Sequence, residues 1–245
     1  MQAPWGLVLR CGPLAAAADH FFTASDLSLG RPSGEWEEVA RFAGVAPGDL
    51  LLLDQVHGAG VAVASADRAR PWSEPEADIV MTSDPDAAVA VRVADCVPIL
   101  LADETGRAVA AVHAGWRGLV HRAPIVAVLT MGERYGIRPE RLIAAVGPAI
   151  GPCCYEVGDE VRSAFSEAGH HARVLDGWFE PGPKGRLHLD TWRAAREQLE
   201  GTGVLPERIQ MSGLCTLTHA ETFHSYRARG REAGRMAAVI RPGAR

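Results

Sequence analysis

The sequence predicts an α+β fold in which mixed sheets are covered by helices, and three observations carry that expectation. Strand-like and helix-like patterns follow one another without the regular alternation of a doubly wound parallel sheet. Neither a GxGxxG fingerprint nor a P-loop is present. The stretch 92–118, RVADCVPILLADETGRAVAAVHAGWRG, holds two apolar runs, 97–102 and 108–112, around the polar cluster Asp103, Glu104, Thr105 and Gly106. That is the pattern of an antiparallel hairpin.

Taken in order, short strands are expected at 6–10 and 20–23, and a helix at 35–42 is ended by Gly44. The apolar run 50–56 predicts a strand that delivers His57 at its end or in the turn after it, with 60–64 continuing it. Pro71 and Pro75 mark 67–77 as a surface loop ahead of a strand at 78–82. A strand at 89–93 leads into the central hairpin. After it, helical spacing over 120–135 is closed by Gly136. A buried strand at 142–146, the loop GPAIGPCCYEVG, and a helix at 157–168 follow. A second loop at 177–185 precedes a strand at 187–189 and an amphipathic helix at 191–199, with Asp190 as its natural N-cap and Trp192 on its apolar side. Strands at 209–213 and 236–240 complete one domain over residues 1–245.

The hairpin carries the chemistry. With Glu104 and Thr105 as the two central turn residues, Cys96 falls directly opposite His113, with Cα atoms about 4.5–5.5 Å apart. If Gly106 instead takes the left-handed position of a three-residue loop, the register moves by one and a bulge must restore the shared face. Pro98 has no N–H to donate, which predicts that this strand lies at a sheet edge. Cys96 and His113 then supply two ligands for a catalytic zinc, which keeps three protein ligands and one open position, and His57 is the candidate third. Each has an ordinary structural reading beside it: His57 as an exposed or hydrogen-bonded residue, Cys96 as a small buried hydrophobe.

Composition narrows the function classes. A formal net charge of −5 without a Lys/Arg run argues against a phosphate-driven nucleic-acid surface, so a small-molecule partner is expected. The N-terminal MQAPWGLVLRCGPLAAAADH makes a poor secretory signal and no segment is long enough to span a bilayer, so a cytoplasmic location is expected. Five scattered cysteines, Cys11, Cys96, Cys153, Cys154 and Cys215, fit reduced thiols better than a disulfide framework.

DQVHG at 54–58, ADCVP at 94–98, HAGWRG at 113–118, GPAIGPCCYEVG at 147–158 and CT followed by SYRARG, in this order, resemble the YfiH-type family. Its members are described as laccase-domain proteins, purine nucleoside phosphorylases or peptidoglycan editing factors. The resemblance implies an α/β/β/α layered fold and a zinc site of His57, Cys96 and His113, with copper a less favoured occupant. It also implies phosphorolysis of adenosine, inosine and methylthioadenosine with adenosine deamination as a companion activity, and it makes a homodimer an expectation. For phosphate, Arg117 is the first candidate because a guanidinium fork binds oxyanions at two points, against a structural salt bridge as its other reading; Arg92 and Arg227 follow. Asp95 is a candidate to orient a histidine or move protons, against an ordinary turn cap. Tyr226 and Trp116 are candidates to stack on a purine. Cys153 or Cys154 could approach the metal, and Cys215, His219 and His224 form a Cys-x3-His-x4-His run that could bind one itself. The departures from the family pattern, Ala24, Ser28, Ala228 and Arg229, touch the anion contacts and leave the three ligands in place.

A metal-free hydrolase, with Cys96 as nucleophile and His113 as base, acting on an amide of a cell-wall precursor, is the main rival reading. Copper-dependent phenol oxidation is weaker, because the chain lacks the many histidines of a multi-copper cluster. A binding protein in which zinc only staples loops would need four protein ligands.

Overall fold

A computed structural model describes residues 1–30, 34–69, 71–182 and 185–243. Most of the strand patterns collect into two six-stranded sheets. The first has the order β1 (Gln2–Ala3), β2 (Gly6–Leu9), β3 (Ala18–Thr23), β15 (Met236–Pro242), β7 (Ala88–Val93) and β4 (Leu50–Leu51). The second runs β14 (Ile209–Met211), β10 (Leu142–Val146), β8 (Val97–Asp103), β9 (Val109–Ala114), β6 (Ile79–Thr82) and β5 (Val61–Ala64). A small third sheet joins β11 (Glu156–Val157), β13 (Leu187–Leu189) and β12 (Phe179–Pro181). Pairing is mixed: β4 with β7, β5 with β6 and β10 with β14 are parallel, and the remaining strand pairs are antiparallel. The helices are α1 (Gly12–Ala15), α2 (Glu35–Phe42), α3 (Trp116–Val120), α4 (Ala123–Tyr135), α5 (Asp159–Glu167), α6 (Ala172–Trp178), α7 (Thr191–Glu200) and α8 (Tyr226–Arg229).

Alternation along the strands sorts the core into layers. Phe22, Val89, Val91, Leu100, Val109 and Ile240 pack in the cluster between the two large sheets. On the outer face of the second sheet, Ile99, Leu101 and Val112 meet Ala127 and Met131 of α4 and Ala195 and Leu199 of α7. On the outer face of the first, Phe21, Ala90 and Val239 meet Val39 and Ala40 of α2. The result is the expected α/β/β/α sandwich. Because β8 and β9 are covered on both faces, every residue of each is buried, and they read as unbroken apolar runs. Burial of each Leu or Ile side chain in these layers contributes about 1.5–3 kcal/mol.

Several expectations are corrected. The hairpin connection is neither a two-residue nor a three-residue loop. Pro98 faces His113 and Val97 faces Ala114, a register two residues away from the expected one. The cause is Asp103, whose carboxylate accepts from the Thr105 hydroxyl at 2.5 Å and from the Ala108 N–H at 3.1 Å. Its backbone meanwhile closes the ladder with Ala108 at 3.2 Å, so four residues, 104–107, are spanned. Gly106 takes the left-handed position, at φ 69°. A slip of two residues preserves the face of every side chain, so Cys96 and His113 still point the same way as diagonal neighbours. Strand β8 is also central, between β10 and β9, and not an edge. Pro98 is tolerated there because it sits at the start of the strand, where its carbonyl accepts from Gly147 N–H at 2.9 Å, beyond the last residue pair of β8 with β10.

The strand expected over 50–56 joins a sheet only at Leu50–Leu51, with a single isolated bridge from Asp54 to Glu76 beyond it, because the chain then leaves the first sheet for the second. The helix expected over 120–135 is present as α4 but starts three residues later: α3 ends at Val120, Arg122 turns left-handed at φ 59°, and Pro124 lies in the first turn of α4. A proline ring there would collide with the carbonyl of a continuing helix. The loop expected over 177–185 is in part α6 and β12, while Pro183 and Lys184 lie outside the described residues. The helix at 191–199 and its cap hold: Asp190 Oδ1 accepts from Arg193 N–H at 2.9 Å. No described helix is long and apolar enough to cross a membrane.

Candidate functional site

Two connections and one strand end bring the site together. The chain crosses from the first sheet to the second twice, between β4 and β5 and between β7 and β8, and these crossings carry His57 and Cys96 respectively. His113 stands near the end of β9. One ring nitrogen from each histidine and the Cys96 sulfur lie within 4.8 Å of one another. The two imidazole rings meet edge to face with centroids 4.9 Å apart.

Asp78 aims two of these three residues. It sits immediately before β6 and is fully buried, and the register Ile79 to Val112 puts it opposite His113, whose N–H donates to the Asp78 carbonyl at 2.8 Å. Its carboxylate accepts from His113 Nδ1 at 2.7 Å, from His57 N–H at 3.0 Å and from Gly58 N–H at 2.6 Å. Burial pushes this carboxyl up, but His113 and the two backbone donors outweigh it and hold it below the usual carboxylate range. With Nδ1 engaged, His113 keeps Nε2 as the donor available to a metal, the arrangement in which a carboxylate fixes a ligand's tautomer. The backbone of His57 is left-handed, at φ 63°, a conformation unusual outside glycine and here tied down by Asp78. Residue-by-residue reading missed Asp78. The available signal was an ionisable group heading an otherwise apolar strand, DIVMT.

The sulfur and the imidazole set each other's charge. Burial pushes the Cys96 thiol up, yet His113 and His57 bring it down to about 6. Burial likewise pushes His113 down, while the Cys96 sulfur and Asp78 raise it to about 9. Each group thus favours the charged form of the other, thiolate beside imidazolium. Gly115 makes room for it: a Cβ there would lie 2.9 Å from Cys96 Sγ and 3.4 Å from His57 Cδ2.

These residues open onto a cavity of about 950 Å³ whose lining, among the described residues, includes Arg92, Arg117, Arg227, Arg231 and Arg235 but a single carboxylate, Asp95. Arg117 forms no ion pair with a described residue; its guanidinium lies 4.2 Å from the centroid of the Trp116 ring. Arg92 donates to the Leu53 carbonyl, and its backbone is bracketed by both ends of the Gln55 amide at 2.8 Å. Arg227 donates to the Glu156 carbonyl and stands over Tyr155. Tyr226 is half exposed beside Arg235. Arg231 and Arg235 were not singled out in the sequence, and Tyr155 was read only as part of a glycine-bounded loop held by backbone geometry; burial raises its phenol, which keeps it a neutral donor.

Asp95 orients no histidine. Its carboxylate accepts from Thr216 Oγ1 at 2.5 Å and from Arg227 N–H at 2.6 Å, so it pins the C-terminal segment against the site. The Cys215, His219 and His224 run does not converge. His219 Nδ1 turns to the Cys215 carbonyl and His224 Nε2 to the Leu27 carbonyl, while Cys215 groups with Cys153 and Cys154 instead. Neither Cys153 nor Cys154 joins the His57 group.

The profile of the family described as "Multi-copper polyphenol oxidoreductase laccase" matches residues 33–242. A purine nucleoside phosphorylase of Deinococcus radiodurans is 39% identical over 98% of this chain and 89% of its own length. Purine nucleoside phosphorylase YfiH of Escherichia coli is 38% identical over 81% and 76%. The chain belongs to the YfiH-type laccase-domain family. Among solved structures, YlmD of Geobacillus stearothermophilus superposes with a TM-score of 0.84 at 27% identity, over 97% of this chain and 96% of that one. A Neisseria meningitidis protein with the DUF152 family label gives 0.82 at 29%, over 97% and 99%. The layered sandwich is thus shared by the YfiH-type proteins, and in this chain the three ligand-type residues and the five arginines line one cavity.

Proposed function

We propose that this protein is a zinc-dependent purine nucleoside enzyme that phosphorolyses adenosine, inosine and methylthioadenosine and also deaminates adenosine. The observation that carries the reading is the placement of a His57, Cys96, His113 cluster and five arginines in one cavity of a chain whose net charge is −5. The purine nucleoside phosphorylases among its relatives support it.

The donor set fits zinc: two imidazoles and one thiolate, with a carboxylate behind one imidazole and no fourth His, Cys, Asp or Glu among the described residues completing the group. When bound, zinc supplies a Lewis acid that makes water nucleophilic near neutral pH, which suits attack at the purine carbon bearing the amine. Phosphorolysis draws on the chain's own residues. Arg117, with Arg231 and Arg235 from the C-terminal segment, forms a guanidinium cradle that binds phosphate at more than one oxygen and neutralises it as the glycosidic bond opens. Tyr226 and Trp116 offer faces for the base. Tyr155 keeps its proton and can donate it in a hydrogen bond to a purine nitrogen or sugar oxygen.

The test is chromatography of adenosine incubated with phosphate and zinc-loaded protein. Adenine with ribose 1-phosphate reports phosphorolysis and inosine reports deamination. Neither product, at any metal loading, would end the nucleoside reading. A second reading has its own observation: Cys96, His113 and Asp78 also line up as nucleophile, base and orienting carboxylate. Full activity on an amide substrate after complete metal removal would favour it.

A further inference from the structure

A second cluster of thiols lies outside the cavity cluster and has no part in the chemistry above. The Sγ atoms of Cys153, Cys154 and Cys215 all lie within 4.8 Å of one another, with Cys153 and Cys154 in contact at 3.4 Å. The cluster is built by backbone. Ala149 and Cys215 form an isolated parallel bridge, Thr216 N–H donates to the Ala149 carbonyl at 3.1 Å, and Gly151 N–H donates to Cys215 Sγ at 3.2 Å. Cys215 is buried, Cys154 half-buried and Cys153 exposed, so the sulfurs run from the interior to solvent. No fourth His, Cys, Asp or Glu joins them among the described residues.

We propose that Cys153, Cys154 and Cys215 form a trigonal thiolate site for a soft monovalent cation of the Cu(I) kind. Thiolates select soft, closed-shell cations, and three sulfurs without a fourth protein donor suit a three-coordinate ion better than tetrahedral zinc. A disulfide would use two of the three and leave the convergence of the third without a purpose. Binding replaces thiol protons with one cation; the protons go to solvent and no electron moves. The N–H from Gly151 gives the buried sulfur a donor that favours its charged form. The site is one step from the cavity: Ile150 and Tyr155, at either side of the thiol pair, line it, and Thr216, next to Cys215, holds Asp95 beside Cys96. Loading the thiols ties together the two loops that form this wall.

The experiment uses the full chain carrying Cys11→Ala, Cys96→Ala and His113→Ala, so that of the five cysteines only the thiol cluster can report, reduced and kept free of oxygen. Titration with Cu(I) against a chromophoric chelator is expected to show one equivalent bound, with thiolate-to-metal absorption and a rise in Tm. Adding Cys153→Ser and Cys154→Ser should abolish uptake and the Tm rise while far-UV circular dichroism stays unchanged; Cys154→Ser alone serves if the longer variant fails to fold. Tighter retention of Zn(II) than of Cu(I) would overturn the cation assignment. Uptake that ignores the serine substitutions, no uptake at all, or a disulfide between two of the three that survives the reducing treatment would overturn the site.

Discussion

Asp78 and His20 show how a buried titratable side chain is fixed by what its neighbours donate. Asp78 accepts three N–H groups, and an amide of the same shape can accept at only one of its two ends. Asp78→Asn is therefore expected to weaken zinc affinity about 10–100-fold with all three ligands still present, measured by chelator competition. An unchanged affinity would remove Asp78 from the account. His20 is buried, accepts from Cys11 N–H at Nε2 over 2.8 Å and donates from Nδ1 to the Ala18 carbonyl at 3.2 Å. A second proton would face the Cys11 donor, and burial, with Arg10 adding to it, pushes the ring's pKa below its ordinary value. The sign follows: the native state binds fewer protons than the unfolded chain, so this contribution is full above about pH 6.5 and is lost as pH falls toward the folded value. Burial shifts His170 the same way. Urea unfolding at neutral and mildly acid pH should show lower stability in acid, and His20→Gln should flatten that dependence. A variant as acid-sensitive as the parent would count against His20.

Among the elements, the hairpin carries the clearest energetic claim. The connection 104–107 is held by Asp103 from within and by ion pairs of Glu104 to Arg141 and Arg208 from outside. Gly106 is left-handed, and a Cβ on it would collide with the Ala17 carbonyl oxygen. Gly106→Ala is expected to cost about 2–5 kcal/mol, the sum of a left-handed penalty and an overpacking penalty, read by denaturant unfolding. A loss below about 1 kcal/mol, within the range of an ordinary surface change, would show that the loop adapts. The same turn explains the register: it is long enough to move Cys96 from the position opposite His113 to the one opposite Gly115, and the missing side chain of Gly115 is what leaves room for the sulfur.

Charge distribution belongs to the chain as a whole. The net charge is −5, yet among the described residues the cavity collects five arginines and one carboxylate, the arginines drawn from β7, α3 and the segment before β15. Arg231→Ala with Arg235→Ala is expected to raise the KM for phosphate at least about tenfold while leaving zinc content unchanged, and to weaken the salt dependence of that KM. Equal phosphate kinetics in variant and parent would assign the cradle to Arg92, Arg117 and Arg227 alone. The composition hid this field because arginines distant in the chain become neighbours only after both sheets have formed.

Residue order alone was enough for the α+β class, the central hairpin and the capped helix at Asp190, since these rest on local periodicity and turn chemistry; the layering and the grouping of His57, Cys96 and His113 were expected from the family motifs, and the fold brings those three within 4.8 Å. Folding decided which carboxylate serves the histidines, Asp78 and not Asp95, because a strand register selects partners 35 residues apart. It also decided that Pro98 is central, that α4 starts only after a left-handed Arg122, and that Cys215 leaves its histidines for Cys153 and Cys154. Each of those outcomes depends on which segments lie side by side, and that is settled by burying both faces of a sheet at once rather than by any single stretch of chain.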